Sequence, residues 1–401
     1  MTNIFSRDEL EKAARARRLD PCEPLAAYRY ATTIDAEAFL AQIDQAQLSG
    51  KGGANFPSAR KMRLFHQQAA PRKYLVVNGG EHEPGSAKDD WLLLHHPDTV
   101  IEGALCVAHA LGATHILVAV NEGRAATVAA VREAAAAIAI AGRLFPGIEV
   151  VLVPDEYVVG EETALLQAVA GQVAKPVRRP PYPIESGHQG MPTLVHNVET
   201  LAHVPYLLLL GAEAYRGLGA PGQGVTLCTF GEEFVHAGVR LVPVGIDLNS
   251  LLYGYGGGLK SGQAIRAVQP GGPASGFLPA DRFDVAFDSA SLRAAGSSLG
   301  CAAITAYAAS DDLVAAARQR AAFFASASCE QCPQCRMQTQ MLLAIVRQLE
   351  SGKANARTLQ QIPVIVKANA GKAICGLIDM PVAPIQSLIH YFKGDIDARM
   401  R

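Results

Sequence analysis

The chain is short of charge, and almost none of what it has is surplus. Of its 401 residues 18% are charged, and the formal net charge is -1. Nucleic acid and anionic membranes select a strong positive excess, so neither is expected as the main partner. No long uncharged apolar run offers a transmembrane span. The opening Met1-Thr2-Asn3-Ile4-Phe5-Ser6-Arg7-Asp8-Glu9 is too acidic and polar for a signal peptide, so a soluble cytoplasmic protein is expected. In that compartment the eight cysteines are expected as free thiols or metal ligands rather than disulfides. There is also no tandem repeat of the kind that builds a solenoid. What remains is a globular composition, 49% hydrophobic, with room for two to four domains.

The pattern along the chain divides it into four segments. Residues 1–47 form an N-terminal helical segment, with an amphipathic helix over 34–47 that turns Ile34, Phe39 and Ile43 inward. Residues 48–222 read as α/β. Apolar runs at 73–78, 115–120 and 148–153 are strands; the helices between them cover about 100–111, capped by Asp98, and an alanine-rich stretch to about 141. A proline- and arginine-rich loop over 175–192 lies across the sheet, and a helix follows over 197–210. The glycine-rich stretch 217–224 is a linker. Strands at 225–230, 238–244 and 264–268, with a short helix at 248–253, suggest a small β-grasp-like module over 223–308. Residues 309–401 are helical, interrupted by cysteines.

Three stretches carry chemistry. The first is Gly50-Lys51-Gly52-Gly53-Ala54-Asn55-Phe56-Pro57, which leads into a helix containing Arg60 and Lys61. A glycine loop feeding a helix N-terminus exposes N–H groups and suits a phosphate. It is neither a Walker A loop nor a dinucleotide fingerprint, and as an isolated motif it is equally a tight surface turn. The second joins Asn78-Gly79-Gly80-Glu81-His82-Glu83, at a strand end where α/β sheets bind ligands, with Tyr157-Val158-Val159-Gly160-Glu161-Glu162. Their carboxylates can accept hydrogen bonds from ribose hydroxyls or amides; alternatively Glu161 and Glu162 only favour a helix dipole. The third is Cys329-Glu330-Gln331-Cys332-Pro333-Gln334-Cys335, with Cys375 some forty residues on. Three closely spaced thiolates and a distant fourth commonly hold a [4Fe–4S] cubane, and zinc is the rival. Cys22, Cys106, Cys228 and Cys301 are scattered singly and read mostly as small buried residues.

These stretches, in this order, resemble the NADH-binding flavoprotein subunit of respiratory complex I. Residues 50–61 are similar to its G-R-G-G-A-G-F-P-T-G-x-K, 78–89 to N-A-D-E-x-E-P-G-x-x-K-D, and 157–165 to Y-I-C-G-E-E-T-A-L. Pro180-Pro181-Tyr182-Pro183 resembles P-P-F-P, His196-Asn197-Val198-Glu199-Thr200 resembles N-N-V-E-T, and 329–336 resembles S-C-G-x-C-x-P-C-R. The resemblance covers about 48–392. It implies an α/β, Rossmann-like FMN and NADH domain, a β-grasp (SLBB-type) module and a C-terminal helical bundle holding one [4Fe–4S] cluster through Cys329, Cys332, Cys335 and Cys375. It further implies FMN contacts from Gly50, Gly52, Lys61, Asn78, Glu81, Tyr157, Gly160, Glu161, Asn197 and Thr200. Phe56, Glu83, Glu162, Arg179 and Tyr182 would line the NAD(H) site, with Glu162 positioning the reacting nicotinamide.

Four positions depart from the family pattern. Gly80 replaces its aspartate, Asn55 a glycine and His196 an asparagine; Leu64 stands where a further aromatic is expected. The stretch 78–84 also leans toward the N-G-A-E-x-E-P of the Rnf-type C subunit, so the chain resembles a divergent paralogue. The activity implied is that of an NADH-oxidising diaphorase passing electrons from FMN through the cluster to a partner, a thioredoxin-like [2Fe–2S] or ferredoxin-type protein. The alternatives are the nucleotide-handling subunit of an NAD-dependent formate dehydrogenase or hydrogenase, and a flavin-less conduit or scaffold. Cys375→Ser is expected to damage the cluster and spare nucleotide binding, because the two lie in different predicted domains.

Overall fold

The computed structural model describes residues 5–16, 25–142, 147–220 and 222–400; Cys22 lies outside them. A parallel sheet has the strand order β3-β2-β1-β4, from β1 (Tyr74–Gly79), β2 (His115–Asn121), β3 (Ile148–Val153) and β4 (Thr193–Asn197). Both of its faces are covered, as a parallel sheet requires. Leu75 and Val77 of β1 and Ile116 and Val118 of β2 join one core with the helix Pro97–Leu111. Tyr74, Val76, Leu117 and Ala119 join another, on the opposite face, with the helix Glu162–Val169.

The helix Pro97–Leu111 starts one residue before the expected cap. Pro97 occupies its first turn, where a missing N–H costs nothing, so Asp98 lies inside the helix. The N-terminal helix runs over Ala36–Gln45, with Asp35 accepting from Ala38 N; Phe39 and Ile43 are buried, and Ile34 packs against the core from outside the helix. Strand β4 has no counterpart in the hydropathy pattern. It is five residues long, carries His196 and Asn197, and is recruited by pairing with β1.

The chain runs outward from β1 to β2 and β3, then returns to β1's other side as β4. That reversal is the switch point where such sheets open a crevice at their C-terminal ends. Asn78 and Asn197 stand in register across it.

Beyond residue 224 a second, five-stranded sheet has the order β6-β5-β9-β7-β8. It comprises β5 (Val225–Phe230), β6 (Gly238–Pro243), β7 (Ile265–Gln269), β8 (Leu278–Pro279) and β9 (Ala303–Ala308). The expected short helix is displaced to a π-helical turn, Ser250–Tyr255. The helices Leu313–Ser326, Pro333–Glu350, Ala356–Asn369 and Val382–Tyr391 then pack on one another around Leu342, Val346, Ile362, Ile385 and Leu388.

Candidate active site

The glycine loop closes on itself at the crevice, with Gly50 N donating to Phe56 O at 2.8 Å and Ser49 bridging Pro57. Asn55 takes a positive φ of 51°. Asparagine tolerates that region better than most side chains, so it can replace the family's glycine here, and Ser49 Oγ steadies its side chain at 2.5 Å. Thr200 is fully buried behind the loop, and its hydroxyl accepts from Lys51 N at 2.9 Å. Pro57 then leads into the helix Ser58–His66.

Two cavities open along the crevice. The outer, about 750 Å³, holds Gly50, Phe56, Lys61, Glu162, Arg179 and Tyr182. The inner, about 370 Å³, holds Glu81, His82, Glu83, Lys88, Tyr157, Cys301 and Cys375. Gly52, Asn78, Gly160, Glu161 and Asn197 line both. The residues expected at the nicotinamide nucleotide thus share the outer cleft, except Glu83, which is in the inner cavity. Those expected at FMN divide between the two, and Thr200 supports the loop from behind.

Several of these side chains already have structural work. Glu81 accepts from Asp89 N at 3.0 Å and Asp90 N at 2.7 Å, fixing the start of the helix Lys88–His95. Glu161 caps Glu162–Val169 by accepting from Thr163 N and Ala164 N at 2.9 and 3.0 Å. Asn197 caps Val198–Leu210 through Glu199 N and donates to Asp89 at 2.6 Å. Glu162 does not cap. Its two oxygens meet Lys61 at 2.7 Å and Arg179 at 3.0 Å, so the carboxylate stands in the outer cleft between two cations.

Beneath the inner cavity Lys88 lies 2.7 Å from Asp89 and 3.0 Å from Glu199, with side-chain exposures of 1% for Lys88 and 0% for Glu199. Burial opposes charge on the Lys88 ammonium, but the surrounding carboxylates prevail and hold its pKa above the ordinary lysine range. The sequence hides this group, because Lys88 and Glu199 meet only through the fold. Ser298, Gly300 and Cys301 likewise reach the cavity from the second sheet's side. Cys106 and Cys228 are fully buried, as expected of isolated cysteines, whereas Cys301 is a cavity wall.

Glu83 is pushed up to about 7 by burial, a rise moderated by the nearby Tyr157 hydroxyl. A folded-state pKa above the ordinary glutamate value means the folded protein binds this proton more tightly than the unfolded chain does. Glu83 therefore costs stability as pH rises from about 4.5 to about 7. In Glu83→Gln that cost is absent, so the variant's melting temperature relative to wild type should rise across this window and level off above it. A constant difference from pH 4.5 to 8 would mean that Glu83 does not titrate there.

Cys329, Cys332, Cys335 and Cys375 line one further cavity. Pro333 starts the helix that carries Cys335, and Glu330 turns the loop through a positive φ of 60°. Ile374 N donates to Cys332 Sγ at 3.4 Å, and Ser328 Oγ lies 3.7 Å from Cys335 Sγ. Among the described residues no three His, Cys, Asp or Glu side chains converge on a single-ion position. The four thiols share the lining of this one small cavity of about 10 Å³, a four-thiolate donor set is one that a [4Fe–4S] cluster takes, and contacts to sulfur of this kind tune such clusters. Leu377 and Cys375 line this cavity and the inner one alike.

The fit to FMN rests on two observations. A Cβ on Gly160 would meet nothing within 4 Å and would project into open space, so this glycine keeps the dividing wall free of a side chain. Two buried nitrogens beside the cavities, His82 Nε2 and His196 Nε2, have no hydrogen-bond partner.

Comparison with known proteins agrees with this division. Residues 43–206 match the family model for the Nuo51 FMN-binding domain, and residues 315–399 that for the NADH-ubiquinone oxidoreductase-F iron-sulfur binding region. The F subunit of the NADH-quinone oxidoreductase of Mycobacterium tuberculosis (strain ATCC 25618 / H37Rv) is 33% identical over 98% of this chain and 93% of that protein. The F subunit from Streptomyces coelicolor (strain ATCC BAA-471 / A3(2) / M145) is 32% identical over 92% and 84%. A chain of an NAD+-reducing [NiFe]-hydrogenase in the H2-reduced state superposes with a TM-score of 0.86 at 29% identity. The match covers 94% of this chain and 65% of that one. An FMN-binding region and an iron–sulfur region, joined around one crevice, therefore make this chain a member of the family of NADH-quinone oxidoreductase F subunits.

Proposed function

We propose that the chain is an NADH-oxidising diaphorase subunit, with NADH in the outer cleft, FMN in the inner cavity and a [4Fe–4S] cluster on Cys329, Cys332, Cys335 and Cys375. One observation carries this reading: the three cavities stand in a row with common walls, first Gly160, Glu161 and Asn197, then Cys375 and Leu377. FMN, when bound, supplies the acceptance of hydride and its release as single electrons. The chain supplies position. Phe56 and Tyr182, 42% and 49% exposed, offer aromatic faces for an adenine. Glu162, held by Lys61 and Arg179, presents lone pairs to ribose hydroxyls and positions the nicotinamide. Gly50, Gly52, Lys61, Asn78, Glu81, Tyr157, Gly160, Glu161, Asn197 and Thr200 form or support the FMN site. Glu83 can hold a proton near neutral pH on its carboxyl in the same cavity.

In this reading the second sheet is the β-grasp (SLBB-type) module and the final helices form the cluster-binding bundle. Among the described residues no helix is long and apolar enough to cross a membrane. A cytoplasmic protein delivering electrons to a thioredoxin-like [2Fe–2S] or ferredoxin-type partner accords with that. Anaerobically purified, reconstituted protein should lose its flavin absorbance on adding NADH; flavin that stays oxidised would refute the assignment. Glu162→Gln and Tyr182→Ala should each weaken NADH binding by about 1–3 kcal/mol, the loss expected for a charge-assisted hydrogen bond or a stacking surface. NADH:ferricyanide kinetics unchanged in both variants would remove these residues from the site.

The likeness to the hydrogenase chain favours a second placement, as the nucleotide-handling subunit of an NAD-dependent hydrogenase or formate dehydrogenase. The two placements share the site and differ in partner, so the proteins that co-purify from the native host decide between them.

A further inference from the structure

The outer cleft is lined by three cations, Arg60, Lys61 and Arg179, and by three carboxylates, Glu161, Glu162 and Glu185. Most of these groups are already engaged within the chain. Glu162 stands between Lys61 and Arg179, and Arg179 Nη2 also lies 3.7 Å from Glu161. Lys61 Nζ donates further to Val195 O at 2.9 Å, and Glu185 accepts from Tyr182 N at 2.9 Å. Arg60 differs from the other two cations. Among the described residues its guanidinium has no ion-pair or hydrogen-bond partner, and it lies over the Phe56 ring, 5.6 Å from the centroid. Arg60 and Phe56 are both exposed, so a ligand in the cleft can reach both. Leu64 lines the same wall one helical turn beyond Arg60 and offers neither charge nor a ring, which leaves the polar chemistry of that wall to Arg60. A guanidinium stays charged at any ordinary pH and presents N–H donors in a fork that matches a phosphate. A nicotinamide dinucleotide brings its phosphate charges into a cleft whose own charges otherwise balance. An adenine stacked on Phe56 carries its nearest phosphate only one ribose away from the ring that Arg60 overlies.

We propose that Arg60 is a phosphate-binding residue of the nucleotide site, its guanidinium donating to a phosphate oxygen of the adenine nucleotide whose base meets Phe56. Two groups can supply that oxygen: the diphosphate that every NAD(H) carries, and the 2′-phosphate that NADP(H) adds. The inference rests on the assignment of the outer cleft to the nucleotide.

The test is calorimetric titration of the full, flavin- and cluster-containing chain with adenosine, 5′-ADP and 2′-AMP. Wild type should bind at least one of the phosphate-bearing probes more tightly than adenosine. Arg60→Gln keeps the length of the side chain and removes its charge. It should raise the dissociation constant of that probe roughly five- to tenfold, as for a charge-assisted hydrogen bond at an exposed site, and leave adenosine within about twofold. Arg60→Lys should keep the charge and stay within about threefold of wild type. Added salt should weaken the phosphate-bearing probe in wild type and in Arg60→Lys more than in Arg60→Gln. A loss confined to 5′-ADP identifies the diphosphate as the group held, a loss confined to 2′-AMP identifies the 2′-phosphate, and a loss in both assigns Arg60 to either group; each supports the inference. Arg60 is exposed, so these variants should fold, and unchanged far-UV circular dichroism and flavin content check that they do. Unchanged affinity in Arg60→Gln overturns the inference, as does an equal loss for adenosine and the phosphate-bearing probes, or a wild type that binds neither of them more tightly than adenosine. Wild-type protein that binds none of the three would instead overturn the assignment of the outer cleft to the nucleotide.

Discussion

Serine at Cys329, Cys332, Cys335 or Cys375 is expected to reduce the iron of anaerobically purified protein from about four atoms per chain to well below that, with loss of the broad visible absorption. The four variants should differ in a second respect. Cys329, Cys332 and Cys335 line only the cysteine cavity, whereas Cys375 also lines the inner one, next to Gly376, Leu377 and Met380. Cys375→Ser should therefore weaken FMN retention on gel filtration as well, while Cys329→Ser and Cys332→Ser leave it close to wild type. This amends the expectation from the sequence, where the separation of Cys375 from the α/β segment suggested that only the cluster would suffer. NADH affinity should be spared in all four, since none of these four cysteines lines the outer cleft. Zinc in place of iron in freshly isolated wild-type protein, or four variants with identical flavin content, would contradict this arrangement.

The second large effect is expected from Glu199. Its Oε1 accepts from Leu227 N and the Thr226 hydroxyl, both at 2.8 Å, and faces His203 at 3.4 Å; Oε2 faces Lys88. Burial would raise its pKa, but Lys88, His203 and Lys51 more than reverse that and hold the carboxyl well below the usual glutamate range. Glu199→Ala removes the anion and leaves donors from three directions unanswered. The expected loss is about 3–5 kcal/mol of stability, the cost of breaking a buried pair from one side. A urea titration monitored by tryptophan and far-UV signals would measure it. Glu199→Gln keeps the shape and should lose less at neutral pH. Because the folded pKa is depressed, the contribution of the charge is present above the ordinary glutamate value and disappears as pH falls through the folded value. The gap between wild type and Glu199→Gln should accordingly narrow on acidification. An alanine variant within about 1 kcal/mol of wild type would mean that this buried group is not holding the fold.

The parallel sheet was legible because the middles of β1 and β2 are uninterrupted apolar runs, as in strands buried on both faces, while β3, an edge strand with Glu149 and Leu152 exposed, was legible from its run of β-branched residues. The glycine loop and the cysteine motif were legible because local backbone and thiol spacing carry their chemistry. Strand β4 was not, since its length and polar C-terminal end are tolerated only by pairing with β1. Nor were the contacts from Ser298, Gly300 and Cys301, or the meeting of Lys88 with Glu199, because each depends on segments far apart in sequence. Gly80 reads as a simple loss until the ring of His82 is seen beside it, two residues away.

The hydrogen bonds from Thr226 and Leu227 to Glu199 separate two lengths that are often taken as one. Val225 and Leu227 belong to the core of the α/β region although they lie in the second sheet, and Lys51 of the glycine loop donates to Val225 O at 3.2 Å. The FMN-binding match ends at residue 206, inside the helix Val198–Leu210. A fragment trimmed to that boundary would keep Glu199 and discard the donors it was built to meet. The stretch that heredity marks as a module is thus shorter than the stretch that can fold, and any excised flavin lobe has to carry the first strand of its neighbour with it.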